Sequence, residues 1–178
     1  MGGYLSERNV PGGIFMYLCF MYIDFVKEHN LIQSLLRQLP KVDPFFTLVL
    51  NVSPDYSSTV AMQTAHYLSE NGRMLDIHPV DVPYPDESKD LYEKQFKEDS
   101  KIFTYRYDKI ILVEAAVLSG NNYTWIKEIL LDLGYENDDI ITLSLVEMNH
   151  SKFKCDFVGE HTDSMPEFYW ERYNSHWD

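Results

Sequence analysis

The chain has 178 residues, 45% of them hydrophobic, and a net charge of −13. That length suits one domain, and that composition suits a real core. The charge argues against binding a nucleic-acid backbone, which takes clustered Lys and Arg. The acidity is uneven, with 13 acids and 5 bases in residues 109–178. Such a surface reads either as a solvated face that aids solubility or as a dock for a basic partner.

Residues 1–13 carry Gly2, Gly3, Pro11, Gly12 and Gly13 and read as a loose lead-in or arm. Residues 14–39 read as one or two helices, apolar nearly all round at first and then on one stripe at Ile32, Leu35, Leu36 and Leu39. A helix apolar all round is covered on several sides, by the core or by a second copy in a homodimer. The ten-residue apolar run at 14–23 is too short to span a bilayer. Glu7 and Arg8 precede it without a basic leader or small-residue cleavage site, so no signal peptide is expected. Two distant cysteines, Cys19 and Cys155, have no metal-ligand spacing and suit a reducing cytoplasm.

Pro40 and Pro44 end the helical region. Residues 45–52 (FFTLVLNV) read as a β-strand, 53–59 (SPDYSST) as a turn, and Val60, Ala61, Thr64, Ala65 and Leu68 as a helix face closed by Asn71-Gly72. Residues 74–82 read as a second strand, and this βαβ order predicts a parallel sheet with right-handed crossovers. Ser57, Ser58 and Thr59 read by themselves as ordinary helix caps. Residues 83–101 form a long polar insert carrying Lys89, Lys94, Lys97 and Lys101, either a solvated amphipathic helix or, as inserts of this length often are, a functional segment.

The most informative stretch is 109–125, KIILVEAAVLSGNNYTW. Ile110, Ile111, Leu112 and Val113 read as a buried parallel strand with Glu114 at its carboxyl end. Ser119-Gly120-Asn121-Asn122 makes a small-residue turn, and a helix then runs to Gly134. The first N–H groups of a helix lack partners inside it, and its dipole favours an anion there. Residues 140–146 (IITLSLV) are the fourth strand. The scattered histidines His66, His78, His150 and His161, four of the chain's six, read as surface or satisfied side chains rather than catalytic ones.

The stretch 110–122 resembles the phosphoribosyl-pyrophosphate (PRPP) motif of type I phosphoribosyltransferases: apolar strand, acid, then Ser119-Gly120 where the family has Thr-Gly. Ala115 and Leu118 replace the two further acids of that pattern, as in uracil phosphoribosyltransferases. Lys154-Cys155-Asp156-Phe157-Val158-Gly159 is similar to a Lys-Pro-Asp-Phe-Val-Gly run of the hypoxanthine-guanine branch, and the tail from Pro166 to Glu171 to the aromatic, acid-rich end of the xanthine-guanine branch.

The resemblance implies an α/β fold: an open, mostly parallel twisted sheet with helices on both faces and a C-terminal hood. It implies one domain over 1–178, with N-terminal arm and helices at 1–44, α/β core at 45–147, flap at 83–101, and hood and tail at 148–178. It implies binding of PRPP or a nucleotide, with Mg²⁺ chelated through ribose hydroxyls and pyrophosphate. Glu114 is then the catalytic and metal-side carboxylate, and Ser119, Gly120, Asn121, Asn122 and Thr124 hold the 5′-phosphate. Ser57, Ser58 and Thr59 fall on the pyrophosphate loop, and Phe157 takes the base-stacking role. Glu147 stands where purine-using relatives have a Lys, so an exocyclic amine is expected in place of an oxo group. The missing acids leave two functions open: divergent transfer of phosphoribosyl to a base, or a non-catalytic protein that senses a nucleotide or binds a protein partner.

Overall fold

The structure, a computed structural model, describes residues 5–6, 18–69, 75–80, 96 and 105–170. The flap lysines at 89, 94, 97 and 101 lie outside the described residues. In chain order the elements are β1 (Leu5–Ser6), β2 (Leu18–Ile23), α1 (Phe25–Leu36), β3 (Thr47–Val52), α2 (Pro54–Tyr67), β4 (Asp76–Val80), β5 (Lys109–Val117), α3 (Asn121–Asp132), a 3₁₀ turn (Asn137–Asp139), β6 (Ile140–Met148), β7 (Phe157–Thr162) and β8 (Met165–Phe168).

Five of these strands form one parallel sheet in the order β4-β3-β5-β6-β7. Strands buried on both faces read as continuous apolar runs, which is why β3, β5 and β6 stand out in the sequence. Alternate residues feed two cores. Val49, Ile111, Val113, Leu143 and Leu145 pack with Ile32, Leu35 and Leu36 of α1 and Val60, Ala61 and Ala65 of α2. Leu48, Leu50, Ile110 and Leu112 pack with Tyr123, Ile126, Ile129 and Leu130 of α3 on the other face. Each fully buried Leu or Ile here contributes about 1.5–3 kcal/mol of transfer free energy.

A smaller sheet, β1-β2-β8, forms the hood; β2 runs parallel to β8, with Phe20 opposite Met165 and Ile23 opposite Phe168. The helix that the apolar run predicts over residues 18–23 is a strand instead. An apolar run fits either state by periodicity, and pairing with β8 decides for the strand. The helix starts only after Asp24, whose carboxylate accepts from Lys27 N–H at 2.7 Å, a cap of the ordinary kind worth about 1 kcal/mol.

Two further boundaries differ from expectation. The β5 strand does not stop at Glu114 but continues to Val117, so the acid lies inside it. The 53–59 turn is only one residue long, because α2 begins at Pro54, where a proline fits the first helical turn. Ser53 makes that turn in the left-handed region, with φ 53°.

Candidate functional site

In an open α/β sheet the ligand crevice lies beyond the carboxyl ends of the strands, where the strand order reverses. Here the chain passes from β3 outward to β4 and then back across to β5, so the switch point falls between β3 and β5. The residues at that point are Ser53, just after β3, and Glu114 to Leu118 at the end of β5. They line a cavity of about 240 Å³. Ser53 and Glu114 give it a polar side. Ala115, Ala116 and Leu118 give one apolar wall, and Met165, Pro166 and Phe168 of β8 give the other.

Glu114 is 7% exposed. Its Oε1 accepts from Asn122 Nδ2 at 2.8 Å and from Ser53 Oγ at 3.4 Å. Burial pushes its carboxyl up to about 7, against those two hydrogen bonds, which favour the ionised form. Its charge in turn adds to the burial that raises Tyr123 and Cys155. An acid poised near neutrality in a crevice is a functional-site signature.

Past Glu114 the chain turns through Ser119 and Gly120 into α3. Gly120 caps the helix with φ 82° and offers no side chain to the first amides. A Cβ at this position would meet Phe153 Cβ at 2.2 Å, so glycine is required for conformation and for space. The 149–156 loop clamps the turn, with Lys152 N–H donating to Ser119 O at 3.2 Å. Ser119 and Asn121 are exposed. Thr124, exposed, donates its Oγ1 hydroxyl back to Gly120 O at 3.0 Å, and the half-buried Asn122 is committed to Glu114, so both side chains shape the turn.

The remaining expected site residues are placed elsewhere. Ser57 is fully buried in the first turn of α2, where its hydroxyl points to Asn51 Oδ1 and to the Val52 and Ser53 carbonyls. Ser58 and Thr59 are exposed on α2; Ser58 Oγ accepts from Asn51 Nδ2 at 3.1 Å. Phe157 opens β7 opposite Leu143 and packs against the core, away from the cavity. The ring that does wall the cavity is Phe168.

Glu147, near the end of β6, is not among the residues that line the cavity. It has no exposed surface, and its carboxylate is enclosed: Oε1 accepts from Lys154 Nζ at 2.9 Å and Oε2 from Cys155 N–H at 2.8 Å. His161 Nδ1 lies 3.5 Å from Oε1. A carboxylate so filled would have to give up a partner to take a ligand's amine.

Mg²⁺ takes ionised oxygen ligands in near-octahedral geometry. Glu114 is the one carboxylate among the described residues lining the cavity, and its Oε1 already accepts two hydrogen bonds. Among the described residues no group of three or more His, Cys, Asp or Glu is placed to hold a metal ion. The described residues at the cavity do not fit a protein-held Mg²⁺. Among the described residues, no helix is long and apolar enough to cross a membrane.

Solved structures with a similar fold include a purine phosphoribosyltransferase from Pyrococcus horikoshii, at 14% identity and a TM-score of 0.60 over 85% of this chain and 93% of that one. The xanthine-guanine-hypoxanthine phosphoribosyltransferase of Helicobacter pylori is similar at 14% identity and 0.59, over 90% of this chain and 100% of that one. A hypothetical protein from Neisseria gonorrhoeae with bound ppGpp is similar at 14% identity and 0.61, over 88% and 94%. No protein-family model matches the sequence, and no curated protein matches it. The chain has the type I phosphoribosyltransferase-like fold. At this level of identity the likeness is one of fold.

Proposed function

We propose that this protein binds a phosphorylated ribosyl ligand, PRPP or a nucleotide, at the carboxyl edge of its parallel sheet. The observation that carries the reading is the adjacency of three parts. A poised acid, Glu114, sits on the wall of the cavity. Asn122, in the first turn of α3, is bonded to that acid. The Ser119-Gly120 turn between them leads into a helix N-terminus with no side-chain cap. A 5′-phosphate belongs at the helix end, where N–H groups and the dipole favour an anion. The ring of the ligand belongs between Glu114 and the Met165–Phe168 wall.

Binding without transfer is the form of this reading that the site favours. Glu114 is hydrogen-bonded and half neutral near pH 7, and Glu147 is closed off by Lys154. The second reading, transfer of phosphoribosyl to a base, draws on the same acid beside the cavity.

The test is calorimetric titration of the purified chain with GMP and with ppGpp, for the wild type and Gly120→Ala. Saturable binding by the wild type, weakened at least about tenfold in the variant, supports the site. Equal binding by both removes the turn from it. Release of pyrophosphate from PRPP in the presence of nucleobases would favour the second reading over the first.

A further inference from the structure

Glu28 is the buried acid that the cavity chemistry leaves unused. It sits on α1, is 2% exposed, and faces the aromatic end of the hood. The Tyr169 hydroxyl donates to its carboxyl. Among the described residues its Oε1 has no hydrogen-bond partner, and neither does the buried indole Nε1 of Trp170, the next residue along from Tyr169. A buried donor or acceptor left unpaired is costly, so this junction is poorly made compared with the rest of the core.

The junction connects directly to the cavity. Trp170 stacks on Phe168 with ring centroids 4.5 Å apart, and Phe168 forms part of the cavity wall. Tyr169 meets Trp170 edge-on at 5.0 Å and Phe25 of α1 at 6.0 Å. Other groups near α1 do not neutralise Glu28. From β7, Glu160 is paired with Lys27 at 2.8 Å. From β6, Glu147 is held by Lys154. From α2, His66 and Tyr67 are exposed, and β8 adds the half-buried Glu167. Glu28 forms no ion pair among the described residues.

We propose that Glu28 is the catch of the hood: neutral, its carboxyl lets residues 168–170 dock on α1, and ionised, it undocks them and loosens the wall of the cavity. Burial pushes this carboxyl up to about 7, so the catch works around neutral pH. The sign follows from linkage. Docking favours the protonated acid, so docking is strongest at low pH, weakens as pH rises from about 4.5 toward 7, and levels off above. As regulation of ligand access, the catch rests on the reading of the cavity as the ligand site; the undocking itself does not.

Hydrogen exchange of the 165–170 amides in the ligand-free chain tests it, corrected for intrinsic rates. Between pH 6 and pH 8 the wild type is expected to lose protection there roughly tenfold. Glu28→Gln, which cannot ionise, is expected to show none of that loss. Tyr169→Phe removes a hydrogen bond that favours the ionised form, so its midpoint moves to higher pH. Unchanged wild-type protection, the same loss in Glu28→Gln, or an unmoved midpoint in Tyr169→Phe would each overturn the proposal. None of these outcomes depends on ligand binding, so the catch and the binding reading fail separately.

Discussion

Asn122, in the first turn of α3, holds Glu114, toward the carboxyl end of β5, through a 2.8 Å hydrogen bond to Oε1. That bond spans the Ser119-Gly120 turn and fixes the acid and the helix end as one unit. Glu114 reaches neither of the cores fully, and the cavity is where its remaining exposure lies.

Glu114→Gln keeps an acceptor for Asn122 and Ser53 and removes the charge. The wild-type acid has a folded value raised from 4.5 to about 7, so its contribution to stability falls as pH rises through that window and is flat above it. Glu114→Gln is expected to gain on the wild type by roughly 2–3 kcal/mol between pH 5 and pH 8, since each tenfold change in an ionisation equilibrium is worth about 1.4 kcal/mol. Urea denaturation at the two pH values measures this, and parallel stability curves for the two chains would refute it.

Gly120→Ala is expected to cost more than Gly134→Ala. Both glycines have positive φ, 82° and 88°. Only at Gly120 does the new methyl meet a neighbour, Phe153, whereas nothing lies within 4 Å at Gly134. The Gly134 change should cost about 1 kcal/mol, from the backbone alone, and the Gly120 change roughly 1–3 kcal/mol more, from the clash. Thermal melts of both variants decide it.

Ser53→Gly is expected to leave stability unchanged or raise it by up to about 1 kcal/mol, since it relieves a non-glycine residue from the left-handed region. The hydrogen bond it gives up, to Glu114 at 3.4 Å, is long and weak. Urea denaturation of the variant checks this. A loss greater than about 1 kcal/mol would mean that bond is stronger than its length implies.

Lys154→Met is expected to destabilise by about 2–4 kcal/mol, well beyond the ~0–1 kcal/mol of an ordinary surface pair. The reason is Glu147: its side chain has no exposed surface, so water cannot replace the lost ammonium. The double variant Lys154→Met with Glu147→Gln should recover part of the loss. Additive losses would show that the pair is not coupled.

The strands at 47–52, 109–117 and 140–148 are legible in the sequence because a parallel strand covered on both faces is apolar without interruption. The helix after Gly120 is legible from its 3.6-residue stripe and its glycine. The β2 strand is not, since its state depends on pairing with β8 at the far end of the chain. The same long-range pairing hides the cavity wall: Met165, Pro166 and Phe168 carry no local signal of facing Glu114. Glu147 looks like a ligand-reading group because its place on β6 is readable while its partner, seven residues on, is not. Ser53 reads as one residue of a longer turn; a single serine between a buried strand and a proline is the available hint that it alone makes the turn.

The measurement that bears most directly on the central claim is calorimetric titration of the wild-type chain with PRPP, once with Mg²⁺ and once with EDTA. Micromolar binding, about −8 kcal/mol, is expected with Mg²⁺, which the oxygens of PRPP itself chelate. No heat at millimolar PRPP in either arm would contradict the ligand site.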